Sequence, residues 1–162
     1  VHGAAGGVGL AALQYARHVG ARVIATAGTP AKRDLLHLLG VEHVLDSRSL
    51  RFADQVRDLT DGQGVDVVLN SLAGEALVRG LEVVKPHGRF VELGKRDFLA
   101  DTSLPLAPFA ENLSLFSVDL SAAFTEPEHM ATALAEVDGA IRSGTYRTLP
   151  HRVYPAGRSV GS

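Results

Sequence analysis

Cysteine and tryptophan are both missing from the 162 residues, and methionine occurs once. Without cysteine there is no disulfide, no thiolate metal ligand and no cysteine nucleophile, and the absence fits the reducing cytoplasm where the protein is expected to work. No run approaches the ~18 uninterrupted apolar residues of a membrane span, and no signal peptide is expected to open the chain, which starts on a glycine turn. Neither sign of charge is in large excess. Sixteen Lys and Arg against 18 Asp and Glu leave a net charge of −2. They are interspersed, so no basic stripe offers itself to nucleic acid or to an anionic membrane. What is present is 46% apolar composition at a length that fits one domain with a real core.

Several catalytic constellations are also absent. Tyr15, Tyr146 and Tyr154 are followed four residues later by Val19, Pro150 and Arg158, so no Tyr-x-x-x-Lys pair exists. The seven histidines are scattered, with no His-x-x-x-His pair, and no metal site is expected. Ser71 stands in Asn-Ser-Leu-Ala-Gly, which is not the Gly-x-Ser-x-Gly elbow of an esterase.

The chain is organised around its first stretch, Gly3-Ala4-Ala5-Gly6-Gly7-Val8-Gly9, which runs directly into Leu10-Ala11-Ala12-Leu13. It reads as a glycine-rich turn opening a helix, where free first-turn N–H groups face a dinucleotide pyrophosphate. Ala5, Gly6, Gly7, Val8 and Gly9 are the expected phosphate-side residues. Against the fingerprint G-x-G-x-x-G the match is Ala4-x-Gly6-x-x-Gly9. Gly6 would permit close approach of the pyrophosphate, and Gly9 close packing of the helix on its strand.

The rest of the chain supplies the context that this motif requires. Val8, Ala11, Ala12, Tyr15, Ala16 and Val19 recur at helical spacing, so the first helix runs to about Val19. Strands are expected at 22–26, 43–46, 65–70, 88–93 and 113–118, and helices from Thr29-Pro30 to Gly40, at 52–59, 75–84 and 126–143, the last capped by Thr125. Residues 95–112 read as a long loop. Val65–Asn70 is nearly continuous in apolar residues, as a strand buried on both faces should be. Alternating strands and helices predict an α/β, doubly wound Rossmann fold: a mainly parallel six-stranded sheet with helices on both faces. Its first strand is nearly absent, since only Val1 and His2 precede the turn. Residues 1–149 are expected to form the nucleotide-binding domain, and 150–162 a returning segment or tail.

Cofactor choice follows from the second strand's end. An NAD site places Asp or Glu there for the ribose 2′-OH. Here the chain reads Ala27-Gly28-Thr29-Pro30-Ala31-Lys32-Arg33, with no acid, a hydroxyl and two cations. Gly28, Thr29, Lys32 and Arg33 therefore suit a 2′-phosphate, and NADPH is the expected cofactor. Asn70, Ser71 and Leu72 end one strand and Leu93 and Gly94 another, at the carboxyl edge where such sheets hold ligands. They are expected on the ribose and nicotinamide side.

With these residues laid out, the chain resembles the enoyl reductase domain of type I polyketide and animal-type fatty acid synthases, a zinc-independent branch of the medium-chain dehydrogenases/reductases. The stretches that carry the resemblance are 2–12, 25–28, Val65-Asp66-Val67-Val68-Leu69-Asn70-Ser71-Leu72-Ala73-Gly74 and Arg89-Phe90-Val91-Glu92-Leu93-Gly94-Lys95-Arg96-Asp97. The resemblance implies a Rossmann domain set into a barrel-containing catalytic domain, most of it ahead of Val1 and the rest after Tyr154. It also implies NADPH-dependent reduction of a trans-2-enoyl thioester on acyl carrier protein, within a synthase and as a homodimer. The resemblance also implies a lysine and an aspartate as proton donor or relay, which Lys95 and Asp119, the latter in Ser117-Val118-Asp119-Leu120, match. A free-standing quinone or alkenal reductase, and a cofactor-binding module without turnover, are the alternative readings.

Overall fold

The computed structural model describes residues 1–119, 121, 125, 127–151 and 153. In chain order, α1 (Gly7–His18) is followed by β1 (Ile24–Ala27), α2 (Pro30–Leu38), β2 (His43–Asp46), α3 (Phe52–Leu59), β3 (Val65–Asn70), α4 (Glu75–Leu81) and β4 (Val84–Glu92). The segment expected as loop contains a short helix, α5 (Arg96–Leu99), and a 3₁₀ turn at Ala107–Glu111. After it come β5 (Ser114–Ser117) and the long α6 (Pro127–Arg142). Local signals set these limits. The Thr29 hydroxyl accepts from the Lys32 N–H at 3.4 Å with Pro30 at the first helical position, and Gly40, at φ +85°, ends the same helix in a conformation that favours glycine.

Every strand pairing is parallel, in two sheets: β1–β2 and β3–β4–β5. The continuous six-stranded sheet expected from the sequence is therefore not what the described residues form. They make five strands, and between β1 and β3 stand only Val1 and His2. Val1 donates its N–H to the Ile24 carbonyl and accepts from the Thr26 N–H, both at 2.9 Å, and the His2 N–H reaches the Leu69 carbonyl at 2.9 Å. Two residues thus join the sheets in a parallel pattern, fewer than a strand normally needs. Behind them an open slot of about 810 Å³ runs between Val23 and Ile24 on one side and Val65 and Val67 on the other.

The slot corrects one expectation. β3 is not buried along both faces: Val68 and Asn70 are, but Val67 is 43% exposed beside the gap. Helix α1 lies where its periodicity put it, yet Gly9, Leu10 and Leu13 form its buried side, while Val8, Tyr15 and Val19 are exposed. β4 also begins earlier than expected. It pairs Val65 with Val84 and Val67 with Arg89, so residues 85–88 bulge out of the ladder.

Two packed clusters hold the fold. Ala25 and Ala27 of β1 pack with Leu10, Leu13, Leu36 and Val41, whereas Ile24 and Leu45 pack on Phe52, Val56, Val68, Leu77, Leu81 and Phe90. Neighbouring strand residues enter different clusters, as the two faces of a strand require. Helices α1 and α2 therefore cover one face, and α3 and α4 the other. The expected return at 150–162 lies mostly outside the described residues.

Candidate functional site

The glycine turn is held by the sheet it leaves. The Ala4 N–H bonds the Thr26 carbonyl at 3.0 Å, and the Gly6 N–H bonds Gly3 O at 2.9 Å. Gly6 is the N-cap of α1, and no side chain caps the helix. A Cβ on Gly7 would meet nothing within 4 Å, whereas one on Gly9 would stand 2.5 Å from the Ala4 Cα. An open, uncapped helix start over a tightly packed base is a cradle that fits a dinucleotide pyrophosphate. Of the expected phosphate-side residues, Gly6 and Gly7 border the open space and Gly9 packs beneath it. Val8 lines a separate groove with Val137 and Ile141. At Gly3 (φ +61°) a Cβ would lie 3.0 Å from Ser71 Oγ, which brings the loop after β3 against the turn.

At the β1 end the expected anion ligands divide. Thr29 caps α2, and Arg33 donates to the Ala27 carbonyl at 3.2 Å and faces Asp46 at 3.5 Å. Lys32 is exposed, with no side-chain bond among the described residues. Arg48 was missed by sequence reasoning. Its Nε lies 3.2 Å, and Ser47 Oγ 3.4 Å, from where a Cβ on Gly28 would be, so both residues stand over Gly28. The Asp46 carboxylate accepts the Arg48 N–H at 2.9 Å and turns the chain to that position. The available signal was a Ser-Arg pair directly after the second strand of a parallel pair.

At the other end, Asn70 and Glu92 close β3 and β4 in register and are buried, at 0% and 2% exposure. Asn70 Nδ2 donates to Glu92 and, at 2.7 Å, to the Leu72 carbonyl, while Asn70 Oδ1 accepts the Leu72 N–H at 3.2 Å. Glu92 Oε1 accepts the Gly94 N–H at 2.5 Å. Burial pushes the Glu92 carboxyl above the ordinary carboxylate range, against the opposing pull of its hydrogen bonds. The neighbouring Asp97 adds to the rise. Asp97 itself accepts the Gly74 N–H at 3.2 and 3.0 Å and so ties the segment after β4 to the start of α4.

Lys95 and Asp119, 24 residues apart, meet here: Lys95 Nζ lies 2.5 Å from Asp119 Oδ1 and 3.1 Å from Ser121 Oγ. Both partners are about half exposed. The Lys95 ammonium, with the Ser121 hydroxyl and N–H, holds the Asp119 carboxyl well below the usual range. An ammonium fixed at the sheet's carboxyl edge, beside Gly94, can stabilise a forming anion and donate a proton to it.

The family model described as zinc-binding dehydrogenase matches residues 7–139. Over 120 residues the chain is 58% identical to a phenolphthiocerol/phthiocerol polyketide synthase protein of Mycobacterium tuberculosis, covering 74% of this chain and 6% of that protein. The nucleotide-binding subdomain of the enoylreductase domain of PpsC from Mycobacterium tuberculosis superposes with a TM-score of 0.86 at 49% identity, over 92% of this chain and 84% of the other. The chain belongs to the zinc-binding dehydrogenase family, among the nucleotide-binding subdomains of polyketide synthase enoylreductases. The CurF ER cyclopropanase of the curacin A pathway shares the same subdomain architecture, at a TM-score of 0.85 and 34% identity over 95% of this chain and 46% of that one. The subdomain spans only about 6% of the length of the curated synthases it matches. Zinc in the family's description finds no ligand set among the described residues. Among the described residues no three His, Asp or Glu side chains gather as a metal site, and cysteine is absent.

Proposed function

We propose that this subdomain binds NADPH and forms the cofactor half of an enoylreductase acting on a trans-2-enoyl thioester carried by acyl carrier protein. The observation that carries the proposal is the Lys95–Asp119–Ser121 cluster, set one residue beyond Gly94 on the edge that also bears the uncapped glycine turn. When bound, NADPH supplies the hydride for the β-carbon. The first-turn N–H groups at Gly7 and Val8 receive the pyrophosphate, and Gly6 leaves room for it. Lys32 and Arg48 face the 2′-phosphate across Gly28, where an NAD site would carry an acid. Thr29 and Arg33 shape that corner by capping α2 and bracing Ala27. Asn70, Ser71, Leu72, Leu93 and Gly94 form the nicotinamide end. Lys95, held by Asp119, stabilises the enolate and delivers the proton to its α-carbon.

On this reading residues 1–149 are the NADP-binding unit, residues 150–162 lead toward a catalytic domain, and the other synthase domains are its partners. Among the described residues β5 is paired along one edge only, which makes a homodimer by pairing of the other edge the expected assembly. A strict monomer by light scattering, in the complete reductase at high concentration, would count against that part.

The test uses the complete reductase that contains this subdomain, following NADPH oxidation with a crotonyl pantetheine thioester and, in parallel, a soluble quinone. Turnover on the thioester that collapses in Lys95→Ala is the expected result. Turnover on quinone alone would make the chain part of a free-standing quinone reductase.

A further inference from the structure

Glu92 has no place in the reaction just described, yet it is a fully buried carboxylate at the mouth of the site. Among the described residues no cation pairs with it. Its two oxygens serve different loops. One takes the Asn70 amide, whose remaining polar contacts all go to Leu72, and the other takes the Gly94 N–H. The backbone repeats the link, because the Leu93 N–H bonds Asn70 O at 2.9 Å. A single hydrogen-bonded path therefore runs from the Leu72 backbone through Asn70 and Glu92 to Gly94, and ends one residue from Lys95. A carboxylate suits this position because it has two acceptors and no donor. The space is tight as well: a Cβ on Gly94 would stand 2.7 Å from Glu92 Oε1.

We infer that Glu92 is a positioning residue: with Asn70 it fixes the 70–72 and 93–95 loops relative to each other, and so sets the nicotinamide end of the cofactor site against Lys95. This rests on the enoylreductase reading above. The role is separable from generic packing because it depends on donor and acceptor polarity rather than on shape. Glu92→Gln keeps the volume but turns an NH₂ toward either the Asn70 amide or the Gly94 N–H, donor against donor. Asn70→Asp sets two carboxylates in contact. The double variant Asn70→Asp/Glu92→Gln reverses the pair: the new amide at position 92 donates to the new carboxylate at position 70, and the amide oxygen still accepts the Gly94 N–H. It leaves a carboxylate oxygen against the Leu72 carbonyl that the Asn70 amide satisfied.

In the complete reductase, each single variant should lower kcat on the crotonyl thioester by about tenfold or more, since small misplacements of reacting groups have effects of this order. The KM for NADPH, dominated by the phosphates, should change less than about threefold. The double variant, which restores the 70–92 contact but not the one to the Leu72 carbonyl, should recover kcat to about threefold or more above the Asn70→Asp single. A second readout does not need turnover. Amide exchange at Leu72 and Gly94 should speed up in the singles and return toward the parent rate in the double. If the parent reduces no thioester, the functional reading fails while the exchange pattern still decides the role of Glu92. A double variant no better than the worse single, in rate or in exchange, overturns the inference. So does a Glu92→Gln enzyme with parental kcat and exchange. Should the singles not fold, a folded and active double supports the inference, and an unfolded double overturns it.

Discussion

Gly9 separates two demands that the glycine turn meets at once, close packing and phosphate access. In Gly9→Ala the new methyl would stand 2.5, 2.6 and 2.6 Å from Cα, C and O of Ala4. These are backbone atoms already tied to Thr26, so they cannot move aside as a side-chain tip can. To reach ordinary carbon contact near 3.5 Å the helix start must shift by about 1 Å. Overpacking of this kind costs about 1–3 kcal/mol, and the better helix propensity of alanine offsets about 0.5–1 kcal/mol of it. For a chain of this length the net loss of about 1–2 kcal/mol lowers Tm by about 2–8 °C. NADPH binding, followed by quenching of nicotinamide fluorescence, should weaken about tenfold as the first-turn N–H groups leave their positions, a change worth ~1.4 kcal/mol. Gly7→Ala is the counterpart, because its methyl meets nothing within 4 Å. That variant should hold Tm or raise it by about 1–4 °C, since a helical glycine is replaced without strain. It should still lose NADPH affinity, because the methyl occupies the space over the helix start. An unchanged Tm in Gly9→Ala would refute the close-approach argument. Unchanged NADPH affinity in Gly7→Ala would refute the placing of the pyrophosphate.

The charged groups carry the other tests. Lys32→Glu and Arg48→Ala should each weaken NADPH far more than NADH in a binding titration, and equal losses for both cofactors would remove the 2′-phosphate from Gly28. The Asp119 carboxyl has a lowered pKa in the fold, so the Lys95 contact adds stability above the unfolded value of about 3.9 and loses it only as pH falls further. A carboxyl titration followed by NMR should accordingly show no Asp119 inflection near pH 4, and one found there would show the contact to be absent. His2 is buried edge-on to Phe52 at 4.8 Å, and burial lowers its pKa to about 3. The unfolded chain then binds more protons between pH ~3 and ~6.5, so stability rises with pH across that window. His2→Gln should flatten the rise in Tm, and an unaltered slope would show that the imidazole is not held neutral.

Single-residue and short-range signals were legible before any coordinates. The glycine turn and the Thr29-Pro30 cap placed the starts of α1 and α2, and the apolar runs placed β2, α3 and β3 at their observed limits, because each is decided by neighbours a few residues away. The alternation of strands and helices and the residues of the resemblance gave the Rossmann class and its family. Tertiary structure decided whatever depends on a partner distant in sequence. Periodicity found α1, but only packing made Gly9, Leu10 and Leu13 its buried side. An apolar run suggested a doubly buried β3, but exposure at Val67 is set by what stands across the slot. Lys95 and Asp119 were candidates from resemblance, and their meeting required β4 and β5 to pair in register. Arg48 reached Gly28 through the β1–β2 pairing, and Glu92 joined Asn70 through β3–β4. Propensity acts along the chain, whereas register and burial act across it, and the site lies where strands distant in sequence end side by side.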